Sequence, residues 1–162
     1  MWYTLPPFGT KWRSWGRDWA VAEVHRFPVF TGKYEHQIDK ANRLVMPAKL
    51  RDKLGGKLFL SLGKGAYPYL VLLPEPSYER LVDQLNETQF FDEAKQDDIR
   101  DTFTDGYEVS IDGQGRLALP GDLRESGHLG SKCMVLGAFN RVEIWDREIF
   151  RIYRERRGHP VS

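Results

Sequence analysis

Ile38-Asp39-Lys40-Ala41-Asn42-Arg43-Leu44-Val45-Met46-Pro47 and Ile111-Asp112-Gly113-Gln114-Gly115-Arg116-Leu117-Ala118-Leu119-Pro120 are two copies of one pattern. They share Ile-Asp-x-x-x-Arg-Leu-x-x-Pro, and each position of the second lies 73 residues after its counterpart. Leu50-Arg51 and Leu123-Arg124 keep that register, and each copy goes on to a Leu-Gly pair, Leu54-Gly55 or Leu129-Gly130. A pattern repeated at one constant offset marks an internal duplication, and missing it would misread the whole fold.

Outward from the motif, each copy has the same predicted elements. Alternation over Tyr34 to Ile38, and over Tyr107 to Ile111, predicts a strand. The Asp-to-Arg segment is a short turn, and Leu44 to Met46 or Leu117 to Leu119 is the returning strand. Asn42 and Gly115 hold the same place in the two turns, and both residue types tolerate the left-handed backbone of a tight hairpin. Pro47 and Pro120 suit the first position of a short helix, which Gly55 or Gly127 can stop. Further strands are expected at Lys57 to Leu62, Leu70 to Leu73, Lys132 to Leu136 and Val142 to Trp145. Tyr78, Leu81, Val82 and Leu85 at helical spacing predict a helix from near Glu75. A second helical stretch covers Asp92 to Thr102, and the last helix runs from about Arg147 to Arg156. About 60 to 75 residues per copy is marginal for an independent core, so pairing between copies or between chains is expected.

Composition narrows the function classes. The chain has 162 residues, 41% hydrophobic and 29% charged, which suits a folded chain rather than a disordered one. Its longest apolar stretch, Leu70 to Leu73, is far short of the roughly 20 residues of a membrane span. The single cysteine, Cys133, allows no internal disulfide and suits a reducing cytosol. One cysteine with four scattered histidines (His25, His36, His128 and His159) makes a structural zinc site a poor expectation. Twenty-four basic against 23 acidic residues leave a net charge of +1, so nucleic-acid binding would have to arise from local placement of charge.

The turns are the candidate site. Asp39 and Arg43, like Asp112 and Arg116, lie four apart. Across a turn the aspartate can accept backbone N–H groups and fix the loop. The arginine then projects from a rigid ribbon, and its fork suits a phosphate or the O6/N7 edge of guanine in a major groove. Lys40 adds a charge in the first copy, and Gln114 offers hydrogen bonds in the second. The spacing equally allows both arginines merely to staple the turn to its neighbour. Other features read as structure. Trp145, Phe139, Tyr107 and Phe103 are expected in the core or an interface, and Gly63-Lys64-Gly65 as a turn without P-loop spacing. Asp92, Glu93, Asp97, Asp98 and Asp101 form a solvated acidic face. Arg151, Arg154, Arg156 and Arg157 suit the C-terminal end of the last helix, as a solvated face or as contacts to phosphates. No nucleophile, base or metal cluster is legible, so no enzyme activity and no cofactor are expected.

With the duplicated motif in place, the chain resembles the MraZ family of bacterial transcriptional regulators, built from two AbrB-like (SpoVT-AbrB) domains. The resemblance spans Phe30 to about Arg156. It includes Phe30-Thr31-Gly32-Lys33-Tyr34-Glu35-His36, both motifs, and Gly137-Ala138-Phe139-Asn140-Arg141-Val142-Glu143-Ile144-Trp145-Asp146. It departs at Ala41-Asn42, where the family usually has Lys-Gly before the arginine, and Lys40 stands one place before the family lysine. The resemblance implies an α+β, β-rich fold: a duplicated swapped-hairpin β-barrel with short helices and a pseudo-two-fold within one chain. Its first AbrB-like domain would span 30–104 and its second 105–157, with 158–162 as a tail. It further implies a ring-shaped homo-oligomer in the cytoplasm, associated with the nucleoid. That ring would bind double-stranded DNA at direct repeats upstream of its own division and cell-wall operon, usually repressing it. On this reading Arg43, Arg116, Lys40, Asn42 and Gln114 contact DNA, while Asp39, Asp112 and Gly115 shape the turns. The alternative is an interaction module of antitoxin type on the same AbrB-like scaffold.

Residues 1–28 lie outside the resemblance, with Trp12, Trp15 and Trp19 among arginines and Pro6-Pro7 ahead of them. One expectation is a basic aromatic arm that adds DNA contacts. The other is an early start: family chains typically open Met-Phe-x-Gly, and Val29-Phe30-Thr31-Gly32 fits a GUG initiation codon. Tryptophan's TGG codon would then report G-rich leader DNA read in frame. A native N-terminal peptide beginning before residue 29 in mass spectrometry overturns the early-start reading.

Overall fold

The computed structural model describes residues 28–87 and 91–159, so both readings of the N-terminal extension fall outside the described residues but for Pro28. The first copy contributes β1 (Lys33–Gln37), β2 (Arg43–Val45), α1 (Ala48–Leu54), β3 (Leu58–Leu62), β4 (Leu70–Pro74), α2 (Glu75–Asn86) and α3 (Glu93–Thr104). The second contributes β5 (Tyr107–Val109), β6 (Arg116–Ala118), α4 (Gly121–Ser126), β7 (Lys132–Gly137), β8 (Val142–Asp146) and α5 (Arg147–Arg156). The fold is α+β, with one large antiparallel sheet and short helices.

That sheet has six strands in the order β1-β7-β8-β4-β3-β5, and β2 pairs with β6 in a separate two-stranded ribbon. Exchanging equivalent strands of the two copies (β1 with β5, β3 with β7, β4 with β8) reverses the order and returns the same sheet. Each copy lends its first strand to the other: β1 lies against β7 with Tyr34 opposite Val135, and β5 lies against β3 with Tyr107 opposite Leu60. The two halves meet at the centre, where β4 pairs with β8. Within a copy, the expected hairpin has one bridge beyond its turn, Ile38 to Leu44 or Ile111 to Leu117.

Burial explains why the copies interlock. Leu44, Leu60, Leu70 and Leu72 of the first copy and Leu117, Val135, Val142 and Ile144 of the second are all fully buried in one shared cluster. Neither copy could enclose these side chains alone, and their removal from water is the main favourable term in folding. Cys133 is also buried there, and its loss of solvation pushes the thiol up to about 12. A smaller cluster of Met134, Trp145 and Phe150 lies under α5, with Tyr69 stacked 4.6 Å from Trp145. The Trp145 indole N–H donates to the buried Glu143 carboxylate at 2.9 Å.

The helix ends follow local chemistry with small shifts. Pro47 and Pro120 stand at the N-cap, one position before the first helical residue. Asp146 caps α5 by accepting from the N–H groups of Glu148 and Ile149, and Asp92 caps α3 through Lys95. Gly55 leaves α1 at φ +79°, as expected of a stop. Gly127 ends α4 with ordinary φ, and the next residue, His128, takes the left-handed conformation. Of the aromatics expected in the core or an interface, Trp145 is buried and Phe103 packs 5.5 Å from Phe59, but Phe139 is 68% exposed. Tyr107 is partly exposed, and its hydroxyl donates to Asp122.

Candidate nucleic-acid interface

The two turns are built alike. In the first, Asn42 N–H donates to Asp39 C=O at 3.1 Å and Asp39 N–H donates to Arg43 C=O at 2.9 Å. Gly115 and Asp112 repeat the pattern at 3.0 and 2.9 Å. Asn42 (φ +59°) and Gly115 (φ +78°) are left-handed, which turns the chain into its returning strand. Asp39 Oδ1 accepts from the N–H of Ala41 at 2.8 Å and of Arg43 at 2.9 Å, and its Oδ2 accepts from Arg43 Nε at 2.9 Å. Asp112 makes the same three bonds to Gln114, Arg116 and Arg116 Nε, each at 2.9 Å.

Both carboxyls are held below their ordinary 3.8, chiefly by the backbone N–H of Arg43 or Arg116 donating to the ionised form. A folded-state value that is lowered gives a contribution that is whole above the unfolded value and lost as pH falls through the folded one. The Arg43 and Arg116 amides should therefore stay protected from hydrogen exchange, after correction for intrinsic rates, through mildly acid solution. Protection should fall only below about 3.8. Loss of protection well above that value would show that the carboxylates do not hold the turns.

The ribbon decides what the arginines face. In its antiparallel register Arg43 lies opposite Ala118, Leu44 opposite Leu117, and Val45 opposite Arg116. Side chains alternate across a strand, so the fully buried Leu44 and Leu117 form the inner face. Arg43, Val45, Arg116 and Ala118 form the outer one. The two arginines are thus diagonal neighbours on one face, with backbones about 7–8 Å apart. Each uses only Nε on its aspartate; among the described residues neither Arg43 nor Arg116 has a protein hydrogen bond at Nη. Each arginine thus braces its own turn through Nε, with no hydrogen bond among the described residues that staples it to a neighbouring element. Val45 is 46% exposed between them, an apolar contact that its alternation with buried Leu44 could have signalled.

The other predicted residues are distributed around this face. The antiparallel register sets the two turns at opposite ends of the ribbon, so exposed Lys40 and Gln114 flank it from either side. Asn42 is half-buried, and its side-chain oxygen accepts from Arg124 Nη1 at 2.5 Å. Gly115 is buried, with the Arg51 guanidinium over it where a Cβ would stand. Arg51 and Arg124 were legible only as part of the repeat register. The C-terminal arginines are engaged locally: Arg151 with Glu148 and Glu155, and Arg154, Arg156 and Arg157 over the rings of Phe150, Tyr67 and Tyr153. Lys64, between the two glycines of its loop, meets Asp98 and Asp101 of the acidic helix.

A family model described as "MraZ protein, putative antitoxin-like" matches the chain twice, over residues 29–101 and 102–160. The chain is also similar to three proteins named "Transcriptional regulator MraZ". That of Salinispora arenicola is 35% identical over 125 residues, covering 77% of this chain and 87% of the relative. That of Clostridium beijerinckii is 34% identical over 127 residues, covering 78% and 88%. That of Heliobacterium modesticaldum is 37% identical over 128 residues, covering 79% and 88%.

Proposed function

This chain belongs to the MraZ family, and from that membership we propose that it is a sequence-specific DNA-binding transcriptional regulator. In this reading it represses its own division and cell-wall operon and engages upstream direct repeats as a ring of identical subunits at the nucleoid. The observation that carries the reading is the shared outer face of β2 and β6, where Arg43 and Arg116 are diagonal neighbours whose Nη groups make no hydrogen bond among the described residues. A two-stranded ribbon fits a DNA major groove, and an arginine fork there pairs with guanine or a phosphate. Lys40 and Gln114 add contacts from the turn tips, and Asn42 through its amide nitrogen. Asp39, Asp112 and Gly115 hold the turn shape.

The exchange of first strands between copies supports a swapped-hairpin AbrB-like barrel, divided into domains 30–104 and 105–157. One ribbon per subunit is a small contact. A ring that sets several ribbons on successive repeats would raise affinity through linked binding, which makes a net charge of only +1 workable.

Fluorescence anisotropy of the full chain tests the proposal, using the DNA immediately upstream of its gene against a scrambled duplex over a salt series. Preferential binding to the upstream duplex that weakens steeply with salt is expected. Equal, weak binding to both duplexes would overturn it and favour the antitoxin-type interaction module.

A further inference from the structure

Arg51 and Arg124 occupy equivalent places in α1 and α4, at the same 73-residue offset as the turns, and each reaches the turn of the other copy. Arg124 is held at two points: Nε donates to Leu129 C=O at 3.2 Å and Nη1 donates to the Asn42 side-chain oxygen. Arg51 covers the bare Cα of Gly115 so closely that any side chain there would collide with its guanidinium. The contacted residue is in both cases the left-handed one, directly before the ribbon arginine. It is also where each turn joins the opposite strand, since Leu119 N–H donates to Asn42 C=O and Met46 N–H donates to Gly115 C=O, both at 2.8 Å.

We propose that Arg124 and Arg51 are positioning residues that each set the recognition turn of the opposite copy, a crossed coupling of helix to turn between the two copies. The departure at Asn42 then has a physical reason. A glycine leaves room for an arginine to lie flat over the turn, whereas asparagine accepts the left-handed backbone and offers the arginine an oxygen. The consequence for DNA rests on the function proposed above, but the coupling itself can be tested without DNA.

Amide hydrogen exchange on the full chain reads it directly. Arg124→Leu should speed exchange at residues 39–43 and leave 112–116 unchanged; Arg51→Leu should do the reverse. Arg124→Lys keeps the charge but gives up the two-point hold, and should loosen residues 39–43 to a smaller degree if leucine disturbs folding. Equal acceleration in both turns, or none in the opposite copy's turn, overturns the proposal. With the upstream duplex, Arg124→Leu should weaken binding roughly tenfold while the slope of log affinity against log salt stays constant. A slope reduced by about 0.9 would mean that Arg124 itself neutralises a phosphate, which also overturns a positioning role. If the unmodified chain binds no upstream DNA, the proposed function fails, and the crossed exchange pattern still decides the coupling.

Discussion

Arg43→Ala and Arg116→Ala each weaken binding to the upstream duplex by roughly 10- to 100-fold, and the double variant loses specific binding altogether. The size follows from the bond that is lost: a bidentate arginine–guanine pair is worth about 1–3 kcal/mol of discrimination. When several ribbons bind together, a loss in every subunit multiplies. Thermal stability should barely move. Among the described residues the Nη groups make no hydrogen bond, and the Nε–aspartate bond joins side chains that are 40% and 41% exposed in the first copy and 27% and 43% in the second. The carboxylates also retain their backbone donors at Ala41 and Arg43, and at Gln114 and Arg116. Anisotropy and a thermal melt on the same samples separate the roles. Intact binding with a melting point lowered as far as a core variant would make the arginines staples alone.

Leu44→Ala and Leu117→Ala have the opposite profile, a large loss of stability. The two leucines face each other across the ribbon, and neither exposes any surface. Truncating a fully buried leucine costs about 2–5 kcal/mol, combining lost burial with the cavity left behind. For a chain of this size the melting temperature should fall by on the order of 10 °C, and chemical denaturation should shift in parallel. Both side chains seat the ribbon in the shared core cluster, and single bridges join it to Ile38 and Ile111. Binding should therefore weaken as the outer face loses its backing. A melting temperature within a degree or two of the unmodified chain would show that the ribbon is not seated on the core as described.

The predicted elements match the structure closely because the physics behind them is local. Alternation placed the strands of both copies to within a residue or two, and the spacing of Tyr78, Leu81, Val82 and Leu85 located α2. The turns were legible in more detail: Asn42 and Gly115 are left-handed, and Asp39 and Asp112 accept the amides that close them. Phe139 shows where local reading stops. An aromatic residue suggests burial, but this one sits exposed at positive φ, bridged through its backbone to Phe30.

The 73-residue offset and the Asp-x-x-x-Arg turns could thus be read directly from residue types and their spacing, since a turn is closed by atoms a few residues apart. Strand pairing could not. Every alternating strand offers the same backbone donors and acceptors, so periodicity says which side chains face inward but not which strand lies alongside. The pairing of β2 with β6, the lending of β1 and β5, and the reach of Arg51 and Arg124 into opposite turns come from the folded whole. Leu44 and Leu117 are fully buried in a core that both copies share, which places Arg43 and Arg116 together on the outer face.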